Sequence, residues 1–329
     1  MKKIIVFGAT GNVGSWASIF FKEKGCDVTA VGHRLSDNGF FKEIGIQYIP
    51  IDICKTSDFS ILPVEKYDAV FHFAGAMPAK MKGYYPTRYI DSIINGTINI
   101  LEWMKGIGCN RIVFSQSISD VLYLFGSKDK IKPDVERRNP LVGDHAMYSI
   151  AKNSAVNIIE HYAAENGFYR YILRFPTIYQ YTETPYYYVN GEKRWLAYRL
   201  LIDKAQKGED IEIWGNPQNE KEIVYIKDLL QILYGCLDSK YPGGIYNVGT
   251  GVGVSLEDQI KGIIEVFSPK GKRSNVIYKP DMPSSPQFIL DIEKTKNELN
   301  YVPQYDYLSY LNDLKKEMEI NRFAKLWGK

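Results

Sequence analysis

The chain opens with an apolar run that leads into three closely spaced glycines, and this arrangement limits what it can fold into. Residues 2–7 are rich in β-branched side chains, residues 8–14 form a glycine turn, and an apolar helical stretch continues to Phe21. Glycine lets a backbone bend sharply and approach a pyrophosphate, and the helix offers it free amide groups. The pattern therefore predicts a dinucleotide-binding strand, turn and helix, with an ordinary strand-to-helix turn as the alternative. The candidate cofactor-binding residues of the turn are Gly8, Thr10, Gly11, Asn12, Val13 and Gly14.

Three further apolar runs end in small or polar residues. They are residues 27–31, 47–51 and 69–73. Their alternation with helical stretches predicts a doubly wound parallel sheet of the Rossmann type, in which the carboxyl ends of the strands form the ligand crevice. Asp52 can accept a hydrogen bond from an adenine amino group there, and a small residue lets a dinucleotide lie close. The cofactor candidates at these strand ends are Asp52, Ile53, Ala74 and Gly75.

The residues after the second strand bear on which dinucleotide is bound. The segment Gly32-His33-Arg34 has no acid at the point where NAD-selective sites usually bind the ribose hydroxyls. Arg34 can instead face a ribose 2′-phosphate. The turn favours NADP over NAD, and a solvent-facing arginine is the alternative.

Tyr148 and Lys152 stand four residues apart in a helical stretch, so their side chains share one helix face. A nearby ammonium can lower the pKa of a phenol, which is otherwise ~10. Ser117 follows a fifth strand candidate, residues 111–114, and can hydrogen-bond a reacting oxygen. With a dinucleotide, these three residues predict hydride chemistry. The alternatives are a surface Tyr–Lys pair and a serine that caps the next segment.

These features, with several later segments, resemble the extended short-chain dehydrogenases/reductases of the NAD-dependent epimerase/dehydratase family, which act on nucleotide sugars. The matching segments run almost from end to end: residues 96–102, 173–179, 221–228, 246–251, 290–291 and 299–303. The resemblance implies that a phenolate at Tyr148 moves the hydroxyl proton, that Lys152 holds the phenolate form and bonds the nicotinamide ribose, and that Ser117 orients the substrate oxygen.

Differences from the family pattern after Ser117 indicate which of the family's reactions are disfavoured for this chain. Dehydratases of the family usually have Asp-Glu directly after the active-site hydroxyl, whereas Ile118-Ser119 follow Ser117 here. Dehydration is disfavoured, although Asp120 lies one step further on and stays open as an acid. Enzymes that epimerise carbons 3 and 5 have cysteine where this chain has Ser119, so that reaction is disfavoured too.

Three positions are the substrate-binding candidates: Thr177, Lys221 and Lys279. Thr177 stands where the family generally has asparagine, and Lys221 replaces the usual phosphate-contacting arginine. Lysine keeps the charge but cannot make arginine's planar two-pronged contact, so Lys279 is a candidate second cation. Solvated surface lysines are the alternative for both.

Composition narrows the function classes. The chain has 329 residues with a formal charge of +3, too small to argue for nucleic acid. Its four cysteines and four histidines are scattered without metal-ligand spacing, which predicts no metal site and a reducing, cytoplasmic location. We expect no signal peptide, and no apolar stretch approaches the ~20 residues that cross a membrane.

The regular alternation lasts to about residue 174. We expect a nucleotide-binding domain over residues 1–174, with part of 220–250 returning to it, and a smaller α/β substrate-binding lobe over 175–329. Residues 179–188 are predicted to be a tyrosine-rich loop, followed by a helix over 194–207. In the family, helices such as those around 88–104 and 148–164 commonly pair into a homodimer, although burial within one chain gives the same pattern.

The predicted function is NAD(P)-dependent redox chemistry at carbon 4 of a nucleotide-diphosphate sugar, as a 4-epimerase or a 4-ketoreductase. The alternatives are a reductase of a non-sugar carbonyl and a protein that senses NAD(P) without catalysis.

Overall fold

The computed structural model describes residues 1–143 and 145–329. Its strands, in chain order, are β1 (Lys3–Phe7), β2 (Asp27–Gly32), β3 (Gln47–Pro50), β4 (Ala69–His72), β5 (Arg111–Ser117), β6 (Tyr169–Phe175), β7 (Ile178–Tyr179), β8 (Tyr186–Val189), β9 (Glu192–Trp195), β10 (Ile211–Trp214), β11 (Glu220–Glu222), β12 (Val224–Tyr225), β13 (Gly243–Asn247), β14 (Gly253–Ser255) and β15 (Val276–Lys279).

Seven of these strands form one parallel sheet in the order β13-β6-β5-β4-β1-β2-β3. The order reverses direction between β1 and β4, where the carboxyl ends of neighbouring strands open a crevice. Phe7 at the end of β1 is in register with His72 at the end of β4. The predicted fold class, a doubly wound parallel sheet, is therefore confirmed.

Side chains of the central strands alternate between two cores. In β1, Ile4 and Val6 pack into one hydrophobic cluster, whereas Ile5 and Phe7 pack into the other. Successive side chains of a strand point to opposite faces, so a run that is apolar throughout is buried on both sides. This is why the central strands read as continuous apolar segments.

Helices cover both faces of the sheet. They are α1 (Asn12–Glu23), α2 (Phe40–Glu43), α3 (Pro86–Tyr89), α4 (Gly96–Gly106), α5 (Ala146–Asn166), α6 (Ala197–Lys207), α7 (Ile226–Asp238), α8 (Leu256–Phe267), α9 (Glu293–Leu299) and α10 (Tyr307–Ile320). A π-helical stretch, Ile90–Asn95, joins α3 to α4. Among the described residues, no helix combines the length and the apolar character that a membrane span requires.

The second half of the chain differs from the expected pattern in two places. Part of the tyrosine-rich segment forms a hairpin of β8 and β9, in which Tyr186 pairs with Trp195 across the strands. The helix predicted from Arg194 begins three residues later, at Ala197, because Arg194 belongs to β9. The hairpin escapes a sequence-based prediction because its pairing and the edge-on contact of the Tyr186 and Trp195 rings, 4.9 Å apart, do not follow from a single run of residues.

The later chain also returns to the central sheet, where β13 pairs with β6. The remaining short strands form four two-stranded sheets. The division into a nucleotide-binding domain over residues 1–174 and a substrate lobe over 175–329 stays a prediction.

Candidate active site

The glycine turn folds so tightly that no residue with a side chain fits at its first or last glycine. Gly8 has a φ of +87°, and a Cβ added to it would lie 2.7 Å from the amide nitrogen of Ala74. A Cβ on Gly14 would lie 2.2 Å from the carbonyl oxygen of Gly8. Both distances are far below van der Waals contact, so the close approach of this turn to the end of β4 depends on glycine.

The N-terminus of the helix that follows the turn has the features of an anion-binding site. Gly11 is the residue at the N-cap of α1, no side chain caps the helix, and its first turn contains no acidic residue. The amide groups of that turn, which includes Asn12 and Val13, therefore have the free character and positive field that bind phosphate. Thr10 lies within the turn and is buried. These residues fit the pyrophosphate of a dinucleotide.

Arg34 lies exposed just after β2. Its Nη1 donates a hydrogen bond to the carbonyl oxygen of Leu326 at 3.3 Å, and its own carbonyl accepts one from the Tyr48 hydroxyl at 2.6 Å. The next acid along the chain, Asp37, accepts hydrogen bonds from the amides of Gly39 and Phe41 at the start of α2. The carboxylate of Asp37 therefore stabilises the start of α2.

Asp52 and Ile53 follow β3 at the same edge of the sheet. One carboxylate oxygen of Asp52 accepts a hydrogen bond from the amide of Cys54 at 3.0 Å. The carbonyl of Ile53 accepts one from the side chain of Asn99 at 2.8 Å. These bonds fix the turn in which Asp52 and Ile53 lie.

Ala74 and Gly75 follow β4 beside the glycine turn. Gly75 has a φ of +149°, and a Cβ there would lie 3.1 Å from the Ile93 side chain. The backbone thus passes close to the π-helical stretch, and a larger residue would push the two apart. Because both residues are small, no bulky side chain enters the crevice at the end of β4.

Tyr148 lies in the first turn of α5, and Ser117 is the last residue of β5. The Ser117 hydroxyl lies near the phenol of Tyr148, close enough to oppose the rise in the pKa of that phenol. The same hydroxyl oxygen accepts a hydrogen bond from the amide of Ser119 at 3.2 Å, so Ser117 also caps the helical segment that follows. The predicted catalytic role and the alternative capping role are thus compatible in one side chain.

Lys152 is 6% exposed and lies one turn along α5 from Tyr148. Its Nζ donates a hydrogen bond to the carbonyl oxygen of Ser115 at 2.6 Å, and it lies 4.4 Å from the centre of the Phe114 ring and 6.0 Å from that of Tyr148. The lysine is therefore held between the end of β5 and the tyrosine.

Burial dominates the protonation of both groups. It raises the pKa of Tyr148 to about 12, against the opposing effect of the Ser117 hydroxyl, and it lowers the pKa of Lys152 to about 7. The sequence-based expectation that Lys152 lowers the pKa of the phenol below its ordinary value is therefore wrong for the chain by itself. Removing both groups from water favours their neutral forms.

Asp120, the acid left open by the sequence, has another partner. Its carboxylate is 1% exposed and accepts hydrogen bonds from Arg174 at 2.9–3.1 Å. Arg174 also donates to the side chain of Asn247 at 2.8 Å. This fully buried pair joins the helical segment after β5 to β6 and β13, so Asp120 has a structural partner, and dehydration stays disfavoured.

The three substrate candidates lie on different elements. Thr177 is exposed between β6 and β7. Lys221 lies in β11 and bridges to Phe288, and burial lowers the pKa of its amine. Lys279 ends β15 and is exposed. The structure therefore brings the cofactor and catalytic candidates to one sheet edge, and it places the two lysines on separate small sheets.

Sequence reasoning missed two features near the site. Lys80 lies in a short 3₁₀-helix after β4, where burial of its amine and then the nearby charge of Arg34 lower the pKa of the lysine. A set of buried amide side chains behind Ser117, which includes Gln116 and Asn153, was not identified either. Neither follows a motif, since both depend on contacts between distant parts of the chain.

Comparisons with known proteins agree with the geometry. A family model described as the NAD dependent epimerase/dehydratase family matches residues 4–249. A protein of Methanocaldococcus jannaschii named putative UDP-glucose 4-epimerase is 25% identical over 306 residues, which cover 92% of this chain and 94% of that protein. UDP-glucuronate 4-epimerase of Thermodesulfobacterium geofontis is 26% identical over 84% of this chain and 80% of its own length. The fold is similar to that of UDP-glucuronic acid 4-epimerase from Bacillus cereus, solved with UDP-glucuronic acid and NAD, with a TM-score of 0.73, 22% identity and coverage of 96% and 99% of the two chains.

Proposed function

We propose that this chain, which belongs to the NAD dependent epimerase/dehydratase family, inverts carbon 4 of a nucleotide-diphosphate sugar. The observation that carries the proposal is the meeting of Tyr148, Ser117 and Lys152 at the sheet edge that the glycine turn opens. A phenol, a hydroxyl and an amine beside a dinucleotide site are the groups that carbonyl–alcohol interconversion needs. The names of the relatives support carbon 4 as the reacting centre.

When it is bound, a nicotinamide supplies hydride acceptance and return. The residues of this chain supply the rest. Tyr148 takes the proton of the carbon-4 hydroxyl as the ketone forms and gives it back as the alcohol is restored. Ser117 holds the oxygen through its hydroxyl, and Lys152 favours the phenolate of Tyr148 whenever its amine is charged.

A 4-ketoreductase that uses NADPH is the second candidate, and Arg34 favours it. An arginine after β2, with the nearby acid Asp37 engaged at a helix start, suits a 2′-phosphate. Lys80 supports this role for Arg34, because two neighbouring cations repel each other until an anion lies between them. For this second candidate we therefore propose NADP as the preferred cofactor.

The substrate proposal rests on charge and on the relatives. UDP-sugars are the first substrates to test, because the relatives are named for them. Lys221 can contact the diphosphate, with Lys279 as a second cation and Thr177 facing the sugar. The partly buried amine of Lys221 would gain its full charge beside a phosphate.

A homodimer and a cytoplasmic location complete the proposal. All four cysteines, Cys26, Cys54, Cys109 and Cys236, are free, which suits a reducing compartment. Sedimentation velocity on the purified protein tests the dimer, and a monomer at micromolar concentration would refute it.

The experiment that tests the function is to denature the purified protein and to identify any released nicotinamide nucleotide by chromatography and mass. Near-stoichiometric NAD, with turnover of a UDP-sugar and no added cofactor, would support the epimerase. An empty protein that binds NADPH more tightly than NADH would support the ketoreductase. Failure to bind either nucleotide would refute both.

Arg34→Asp tests the cofactor preference directly. We expect the ratio of the NADPH and NADH dissociation constants to move toward NADH by about tenfold or more, because the substitution removes a phosphate contact and adds a ribose-binding acid. An unchanged ratio would exclude Arg34 as the discriminating residue.

A further inference from the structure

Behind Ser117 lies a closed chain of side-chain hydrogen bonds, which we call the amide network and which consists of Gln116, Ser119, Asn139, Ser149 and Asn153. We propose that the amide network positions Ser117 against Tyr148 and so sets the rate of the proton transfer. The inference rests on the proposed function, because it concerns how the proposed catalytic groups are held.

The first arm of the network begins at the backbone of the serine. The amide of Ser117 donates to Oε1 of Gln116 at 2.8 Å, and Nε2 of Gln116 donates to Oδ1 of Asn153 at 2.6 Å. Nδ2 of Asn153 then donates to Oδ1 of Asn139 at 2.7 Å. The end of β5 is thereby fastened to the middle of α5 and to the segment that precedes that helix.

The second arm leads back to the same serine. The hydroxyl of Ser149 donates to Oδ1 of Asn139 at 3.3 Å, and the hydroxyl of Ser119 bonds that of Ser149 at 3.1 Å. The amide of Ser119 donates to Oγ of Ser117 at 3.2 Å. A serine hydroxyl has one proton and two lone pairs. Because one lone pair is occupied from behind, the rest of the hydroxyl faces Tyr148 and the substrate oxygen.

The spacing along α5 explains how one helix serves both the reaction and the network. Ser149 directly follows Tyr148, and Asn153 directly follows Lys152. The two network residues are therefore four residues apart, as the two catalytic candidates are. One residue corresponds to a rotation of about 100° around a helix. The helix therefore has two adjacent stripes of side chains. Tyr148 and Lys152 form the catalytic one, and Ser149 and Asn153 form the one that belongs to the network. Hydrogen bonds along the second stripe join α5 to Gln116 and Ser119, on either side of Ser117.

Burial couples the inner members of the network to one another, whereas Asn139, where the two arms meet, is exposed. Gln116, Ser149 and Asn153 are 1%, 1% and 7% exposed. A buried amide that loses its partner keeps its desolvation cost, so the members support one another in a single geometry. Apolar residues at these positions would pack without fixing any direction. These residues are thus positioning residues, since the contact with the reacting groups is made by Ser117 and Tyr148.

Asn153→Ala is the test, with Gln116→Met as a second, nearly isosteric break in the network. Asn157→Ala is the matched control, because Asn157 lies one turn further along α5 and its side chain accepts a hydrogen bond from Arg137 at the surface. We expect kcat to fall by about 10- to 100-fold in the first two variants, because a misplacement of about 1 Å can cost that much. KM and the cofactor dissociation constant should stay within about twofold, and the control should resemble the parent.

The same substitution in a Ser117→Ala background separates positioning from general damage. If Asn153 acts through Ser117, Asn153→Ala lowers kcat in the parent and hardly changes it further when Ser117 is already alanine. A full second loss in that background, or a parent-like kcat for both network variants, would overturn the inference while leaving the proposed function intact.

A readout without turnover keeps the two proposals distinguishable. Crystal structures of the parent and of Asn153→Ala should differ in the distance between the Ser117 and Tyr148 oxygens, with the parent at hydrogen-bond distance. An unchanged distance would overturn the inference. A parent that binds the cofactor but turns over no nucleotide sugar would instead refute the proposed function.

Discussion

The two sides of the cleft are built by different means. On the cofactor side, backbone geometry shapes the site: glycines at positions 8 and 14 leave no room for a Cβ, and the first turn of α1 offers uncapped amides. On the substrate side, the candidates Thr177, Lys221 and Lys279 are side chains on a connection and on two small sheets. The glycine turn therefore leaves almost no room for substitution, whereas the proposed substrate contacts are single side chains that can change one at a time.

The largest effect should come from a methyl group on the cofactor side. Gly14→Ala places a Cβ 2.2 Å from the carbonyl of Gly8, so the turn must open. We expect the dissociation constant of the cofactor, measured by calorimetry, to rise by about 100-fold or more. Gly106→Ala is the control, because a Cβ there meets nothing within 4 Å. Parent-like binding in Gly14→Ala would show that the turn is not the phosphate site.

The buried lysine of the cofactor side should reveal itself through the pH dependence of stability. Burial lowers the pKa of Lys152 from 10.5 to about 7, so between these values the unfolded chain binds more protons than the folded one. The free energy of unfolding should therefore rise with pH in that window, by at most about 1.4 kcal/mol per pH unit from this group. Below pH 7 the contribution is constant.

Lys152→Met removes this contribution and is the way to measure it. Urea unfolding of parent and variant from pH 6 to pH 10 should show the parent gaining stability relative to the variant as the pH rises. A constant difference across the range would mean that the amine of Lys152 titrates normally and is not buried as described.

The smallest effect should come from the substrate side. Lys221→Ala should raise KM for a UDP-sugar by about three- to tenfold and leave kcat within about twofold, because the lost phosphate contact is the same in the ground state and the transition state. Lys221→Arg is the conservative control and should keep or improve KM. If Lys221→Ala leaves KM unchanged, the diphosphate does not contact Lys221, and another residue must bind it on the substrate side.

The sequence predicted the strands, turn and helix around the cofactor candidates well because the signals for these elements are local. A strand, a glycine turn and a helix are contiguous, and the carboxyl ends of parallel strands must share an edge, so the amino-acid sequence alone sufficed to place Ser117 and Asp52 there. The spacing of Tyr148 and Lys152 needed only a helix. Each of these inferences depends on residues within about one element of each other.

What escaped prediction depends on distant contacts or on burial. The partners of Asp120 lie 54 residues away at Arg174 and, through it, at Asn247. The segment that forms β8 reads as a loop in the sequence, since its pairing with β9 is set by tertiary packing. The raised pKa of Tyr148 also needed the structure, because desolvation is a property of the whole surrounding core.

The central claim is that Tyr148 is the proton-transferring group of a nucleotide-sugar enzyme. Its most direct test is Tyr148→Phe, with kcat on a UDP-sugar and the cofactor dissociation constant measured on the same preparation. We expect kcat to fall by about 1,000-fold, within the range for loss of a general acid or base, while cofactor binding changes by less than about twofold. A variant that turns over the sugar as fast as the parent would contradict it.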